Sequence, residues 1–134
     1  MNKKIEERIV TCLREKIDPY LMVLFGSAAK GTDRSDSDID IAFLSDRDLD
    51  DYDRFMLSQD LASLIHKEVD LIDLNKASTV FAVQVIGSGR VLFSKDEKKR
   101  MEFEMKTLKM YAKLNEERDI VLKKVGESGS IYEK

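Results

Sequence analysis

Between residues 37 and 44, Asp38 and Asp40 alternate with Ile39, Ile41 and Phe43. A period of two belongs to a β-strand, whose successive side chains point to opposite faces. One face here is acidic and the other apolar, so the strand needs a sheet that buries the apolar side and leaves the acidic end accessible. Upstream, Tyr20, Leu21, Met22, Val23, Leu24 and Phe25 form a short continuous apolar run that stops at Gly26, as a buried strand would. Residues 69–74 repeat the alternating style, and residues 90–93 make a short fourth strand.

Helical periodicity fills the intervals. Ile5, Ile9, Cys12 and Leu13 mark a first helix over 3–17, stopped before Pro19, and Leu57, Leu61, Leu64 and Ile65 mark another over 50–66. Ser78 can cap a third helix carrying Phe81, Val85 and Ile86, ended by Gly87-Ser88-Gly89. From about residue 96 to 125 the chain reads as one long helix. Its stripe of Met101, Met105, Leu108 and Ala112 is expected on the sheet, while Leu114, Val121 and Val125 extend toward an interface. The order αβ(α)βαβαβα predicts an α/β (α+β) fold with a small mixed sheet flanked by helices. Residues 1–125 are expected to form one domain with its C-terminal helix, and the polar residues 126–134 a flexible tail.

With 134 residues the chain can close one core but not two. Its formal net charge of −3 excludes a global positive field, and with it stable, sequence-independent nucleic-acid binding. The single cysteine, Cys12, has no partner for a disulfide or zinc set and reads as core. The charged, helical N-terminus and the lack of a membrane-length apolar stretch predict a soluble cytoplasmic protein.

The chemistry concentrates between Phe25 and Asp40. Gly26 lacks a side chain, so phosphate oxygens can approach main-chain N–H groups, and the Ser27 hydroxyl can add a hydrogen bond. A helical turn at Ala28-Ala29-Lys30 would also favour an anion. Further on, Asp38 and Asp40 project from one strand face and can reach the same cation. Their hard oxygens suit Mg²⁺, which keeps waters and substrate phosphates in its shell. Asp70 and Asp73 differ by an odd number and lie on opposite faces, so only one can join. Asp70 begins its strand and is chosen as the third carboxylate. Two metals about 3.5–4 Å apart could polarise an α-phosphate, activate a hydroxyl and stabilise pyrophosphate, with Asp70 as the ligand or base nearest the attacker.

Other acidic and basic residues have plainer explanations. Asp36, Asp38 and Asp40 alternate as in a calcium loop, but Ile41 stands where that loop needs glycine and Arg47 where it needs glutamate. Asp46, Asp48, Asp50, Asp51 and Asp53 suit a turn and a helix start. His66 and Lys67 suit a helix end, and residues 96–100 a solvated segment. Lys30 and Arg34 flank the cradle and can either meet phosphates or stay solvated; Tyr111 reads as packed.

The Gly26-Ser27 pair, the ten intervening residues, Asp38-Ile39-Asp40 and Val69-Asp70-Leu71 together resemble the DNA polymerase beta-like nucleotidyltransferase superfamily, in particular its minimal members. Residues 69–74, 77–80 and 106–111 extend the resemblance to the MntA-type adenylyltransferase antitoxins over nearly the whole chain. The resemblance implies a nucleotidyltransferase fold with Asp38, Asp40 and Asp70 as catalytic and metal-binding triad, Gly26 and Ser27 at the nucleotide, ATP as co-substrate and Mg²⁺, two ions, as cofactor. It also implies a HEPN-family (HepT) toxin as partner, silenced by transfer of AMP to a tyrosine, in a homodimer or a hetero-oligomer with the toxin. Two rivals are an aminoglycoside-type small-molecule nucleotidyltransferase and an antitoxin that only binds its toxin.

Overall fold

The computed structural model describes residues 2–26, 29 and 38–127, with side chains through residue 124. Helix α1 (Lys3–Ile17) leads into β1 (Pro19–Phe25), followed by β2 (Ile39–Ser45), α2 (Asp51–Ile65), β3 (Val69–Asp73), α3 (Thr79–Ser88), β4 (Arg90–Ser94) and α4 (Glu97–Glu127). Helix starts follow the short polar residues in the sequence. Asn2 caps α1 by accepting from the Lys4 N–H, Asp50 caps α2 at 2.7 Å from the Asp53 N–H, and Ser78 caps α3 at 3.1 Å from the Phe81 N–H. At their C-termini α1 and α2 turn out through Asp18 and His66, both in the left-handed region.

The strands form one mixed sheet in the order β3-β2-β1-β4. β1 runs antiparallel to both β2 and β4, whereas β2 and β3 are parallel because α2 carries the chain back between them. The period of two then sorts the side chains into two layers. On one face Ile9, Leu13 and Ile17 of α1 and Leu57, Leu61 and Ile65 of α2 pack on Met22, Leu24, Ile39, Ile41, Phe43 and Leu71. On the other, Leu21, Val23, Ala42 and Leu44 meet Leu74, Ala82 and Val85, with Phe81 and Phe103 at the edge. Each fully buried Leu, Ile or Phe contributes about 1.5–3 kcal/mol, so both layers are substantial.

Two expectations need correction. The stripe of Met101, Met105, Leu108 and Ala112 does not face the sheet: the inward side of α4 is built from Phe103 and buried Thr107 instead. Helix α3 ends within Gly87-Ser88-Gly89 as expected: Ser88 is its last residue, and the Gly89 N–H donates to the Val85 carbonyl at 2.8 Å. A Cβ at Gly87 would meet nothing, so that glycine costs α3 some stability without ending it. Finally, α4 reaches Glu127, beyond residue 125; the rest of the expected tail, residues 128–134, lies outside the described residues.

Candidate active site

The parallel register of β2 and β3 pairs Asp40 with Asp70, and the antiparallel register of β1 and β2 pairs Phe25 with Asp40. Gly26 therefore turns away directly beside the Asp40 carboxylate. It adopts φ 73°, a left-handed conformation that glycine accepts without penalty. A Cβ there would also overlap the Oδ2 of Asp40, which would have to swing aside. Phe25 is held by an edge-on contact with Phe81 of α3, ring centroids 5.5 Å apart, which ties the turn to the second layer.

Asp40 is half-buried and Asp38 and Asp70 are exposed. Burial, followed by the charges of Asp70 and then Asp38, pushes the Asp40 carboxyl above its ordinary value. Among the described residues no Lys or Arg forms an ion pair with any of the three. Among the described residues the centre thus concentrates unpaired negative charge, and hard oxygen donors in that condition suit a divalent cation. Among the described residues, however, no three acidic, His or Cys side chains are already gathered into a ligand set. Strand β2 starts at Ile39, so Asp38 stands one residue before the sheet and its side chain is not fixed by strand pairing.

Asp73 belongs elsewhere. It is buried, pairs in register with Phe43 at the far end of the strands, and accepts the Asn75 N–H at 2.9 Å in a turn. The second acidic cluster is likewise structural: Asp46 pairs with Lys99, Asp48 with Lys76 and Asp51 with Arg54. Ser27, Ala28, Lys30 and Arg34 lie outside the described residues, so the phosphate cradle is represented by Gly26 and by Ala29, which packs against the core. A cavity of about 700 Å³ between α1 and the end of α2 is lined by Lys4, Arg8, Cys12 and Leu64 and by none of the three carboxylates. The sequence reading did not anticipate it, since residues of mixed polarity from two helices meet there only through tertiary packing.

The family model described as "Polymerase beta, Nucleotidyltransferase" matches residues 7–98, more than half of the chain. The chain belongs to the polymerase beta-like nucleotidyltransferase family. This nucleotidyltransferase is 40% identical over 123 residues to the protein adenylyltransferase MntA of Shewanella oneidensis, covering 91% of this chain and 88% of that protein. It is similar to a toxin–antitoxin crystal structure with AMP-PNP at a TM-score of 0.79 and 40% identity, covering 90% of this chain and 97% of that one. It is also similar, at a TM-score of 0.77 and 37% identity, to a structure of the tri-AMPylated Shewanella oneidensis HEPN toxin in complex with MNT antitoxin, covering 93% of this chain and 98% of that one. Among the described residues of the nucleotidyltransferase, no helix is long and apolar enough to cross a membrane.

Proposed function

We propose that this nucleotidyltransferase transfers AMP from ATP to a hydroxyl of a HEPN-family toxin, a tyrosine, and acts in the cytoplasm as the antitoxin of that toxin. The observation that carries the reading is the 40% identity to a protein adenylyltransferase over 123 residues, a span that includes the strands that set Asp40 against Asp70. The similar chain in complex with an AMPylated HEPN toxin supplies the acceptor class.

In this reading Gly26 and Ser27 hold the phosphates, and Asp38, Asp40 and Asp70 hold Mg²⁺. The ion, when bound, neutralises charge on the phosphates and lowers the cost of pyrophosphate departure. Asp40 sits on a central strand between β1 and β3 and fixes the donor side. Asp70 lies on the edge strand, exposed toward an incoming acceptor, and takes the proton from its hydroxyl. The acceptor oxygen forms a bond to the α-phosphorus as the α–β phosphoanhydride bond breaks and pyrophosphate leaves. Because transfer is mostly a matter of positioning and charge, a folded protein acceptor can itself supply the surfaces that orient its hydroxyl at these carboxylates.

The test is intact-mass spectrometry of the adjacent gene's product after incubation with this protein and Mg-ATP. One or more AMP increments on that product, absent with Asp38→Ala/Asp40→Ala, are expected. An unmodified toxin that is nevertheless neutralised equally by wild type and double variant would make binding alone the mechanism.

A further inference from the structure

The outer face of α4 carries an apolar stripe that no described part of the chain covers. At about 100° per residue, Phe103, Thr107 and Leu114 share the inward side of the helix, and Met101, Met105, Leu108 and Ala112 lie opposite. Met101, Met105 and Leu108 are 61%, 56% and 46% exposed, and Ala112 is exposed as well. Their spacing of four, three and four is that of a helix–helix seam, sustained over about 16 Å. We propose that this stripe pairs antiparallel with the same stripe of a second copy of the chain. This inference is independent of the acceptor assigned above.

Size and charge both favour that occupant. A two-fold axis crossing α4 between Lys106 and Thr107 sets Met105 against Leu108 of the second copy and Met101 against Ala112, so the longest side chain meets the smallest, and every contact occurs twice. One flank of the stripe carries Lys98, Glu102, Lys109 and Glu116, all exposed. Among the described residues none of the four forms an ion pair within its own chain. In an antiparallel pair this flank faces its own copy. Lys98 then meets Glu116 of the second copy and Glu102 meets Lys109, again twice. A parallel pair would turn the same flank toward the other one, where Glu104 is already held by Arg100 at 2.9 Å, and these matches would be lost. The inward side of α4 packs on α3, so the stripe points away from the body of its own chain.

Sedimentation velocity of the full chain over a concentration series tests the proposal. The wild type is expected to pass from monomer to dimer. Met105→Glu, at an exposed position that leaves thermal stability unchanged, should remain monomeric. Lys98→Glu and Glu116→Lys should each weaken association about tenfold, and the double variant should recover most of it, as paired charge reversal does across a helix seam. A wild type that stays monomeric throughout, or a charge-reversed double variant no better than the single ones, overturns the antiparallel pairing. So does a monomeric wild type whose toxin binding is abolished by Met105→Glu, which would assign the stripe to the toxin.

Discussion

Replacing Gly26 by alanine tests two consequences of one geometry. The backbone at φ 73° becomes unfavourable for an L-residue, by about 1–2 kcal/mol. The new methyl group also overlaps Asp40 Oδ2, so the carboxylate must move. A displacement on the order of 1 Å at a reacting centre can cost about 10²-fold in rate. Gly26→Ala should therefore fold, melt about 3–10 °C lower, and lose AMP transfer by about two orders of magnitude. Gly87→Ala is the internal control: its Cβ meets nothing and its backbone is helical, so it should gain about 0.5–1 kcal/mol and keep full activity. The assay is paired, with thermal melts beside transfer of labelled AMP to the toxin under single-turnover conditions. A Gly26→Ala protein that melts lower yet transfers AMP at the wild-type rate would refute the positioning of Asp40 by that turn. The glycine would then serve only the backbone.

Other features lead to separate measurements. Ser45 donates to the Ile17 carbonyl at 2.6 Å and accepts the Arg47 N–H at 3.1 Å in a buried position, so Ser45→Ala should cost about 1–3 kcal/mol in urea denaturation. Phe103→Ala should cost a similar amount, about 1–3 kcal/mol, if Phe103 is the inward anchor of α4; no change in the denaturation midpoint would argue against that packing. The Arg90 guanidinium, bonded to both Glu6 oxygens at 3.1 and 2.8 Å, holds the Glu6 carboxyl below its ordinary range against the opposing push of burial. A lowered folded value means that the contribution is present above the unfolded pKa and disappears as pH falls through the folded one. Glu6→Gln should flatten that acid limb of the stability curve by less than about 1 kcal/mol, because Arg90 is 44% exposed and screened by solvent.

Most elements were legible because their signals are local. Period-two alternation located β2 and β3, and Asp50 and Ser78 stand where helix starts need oxygen acceptors. Parity allowed only one of Asp70 and Asp73 and position in the strand favoured Asp70, whereas their registers with Asp40 and Phe43 emerge only from strand pairing. One feature resisted for a physical reason. Helix α4 has two apolar sides, and a period of 3.6 says that faces exist without saying which is covered. The more strongly apolar side proved to be the uncovered one, because the space beside α3 accepts Phe103 and Thr107.

The sheet order gives the two paired aspartates unequal security. Asp40 lies on β2, flanked by a strand on each side, while Asp70 lies on β3 with β2 as its single neighbour. Opening of β3 would expose Leu71 of the layer beneath α1 and α2, yet it breaks strand pairing on one side only, whereas displacing β2 breaks it on two. On warming, the proton acceptor proposed at Asp70 would leave its partner while Asp40 still stood in place. Catalysis should then fade below the melting temperature and return on cooling, as a reversible loss confined to one edge of the domain.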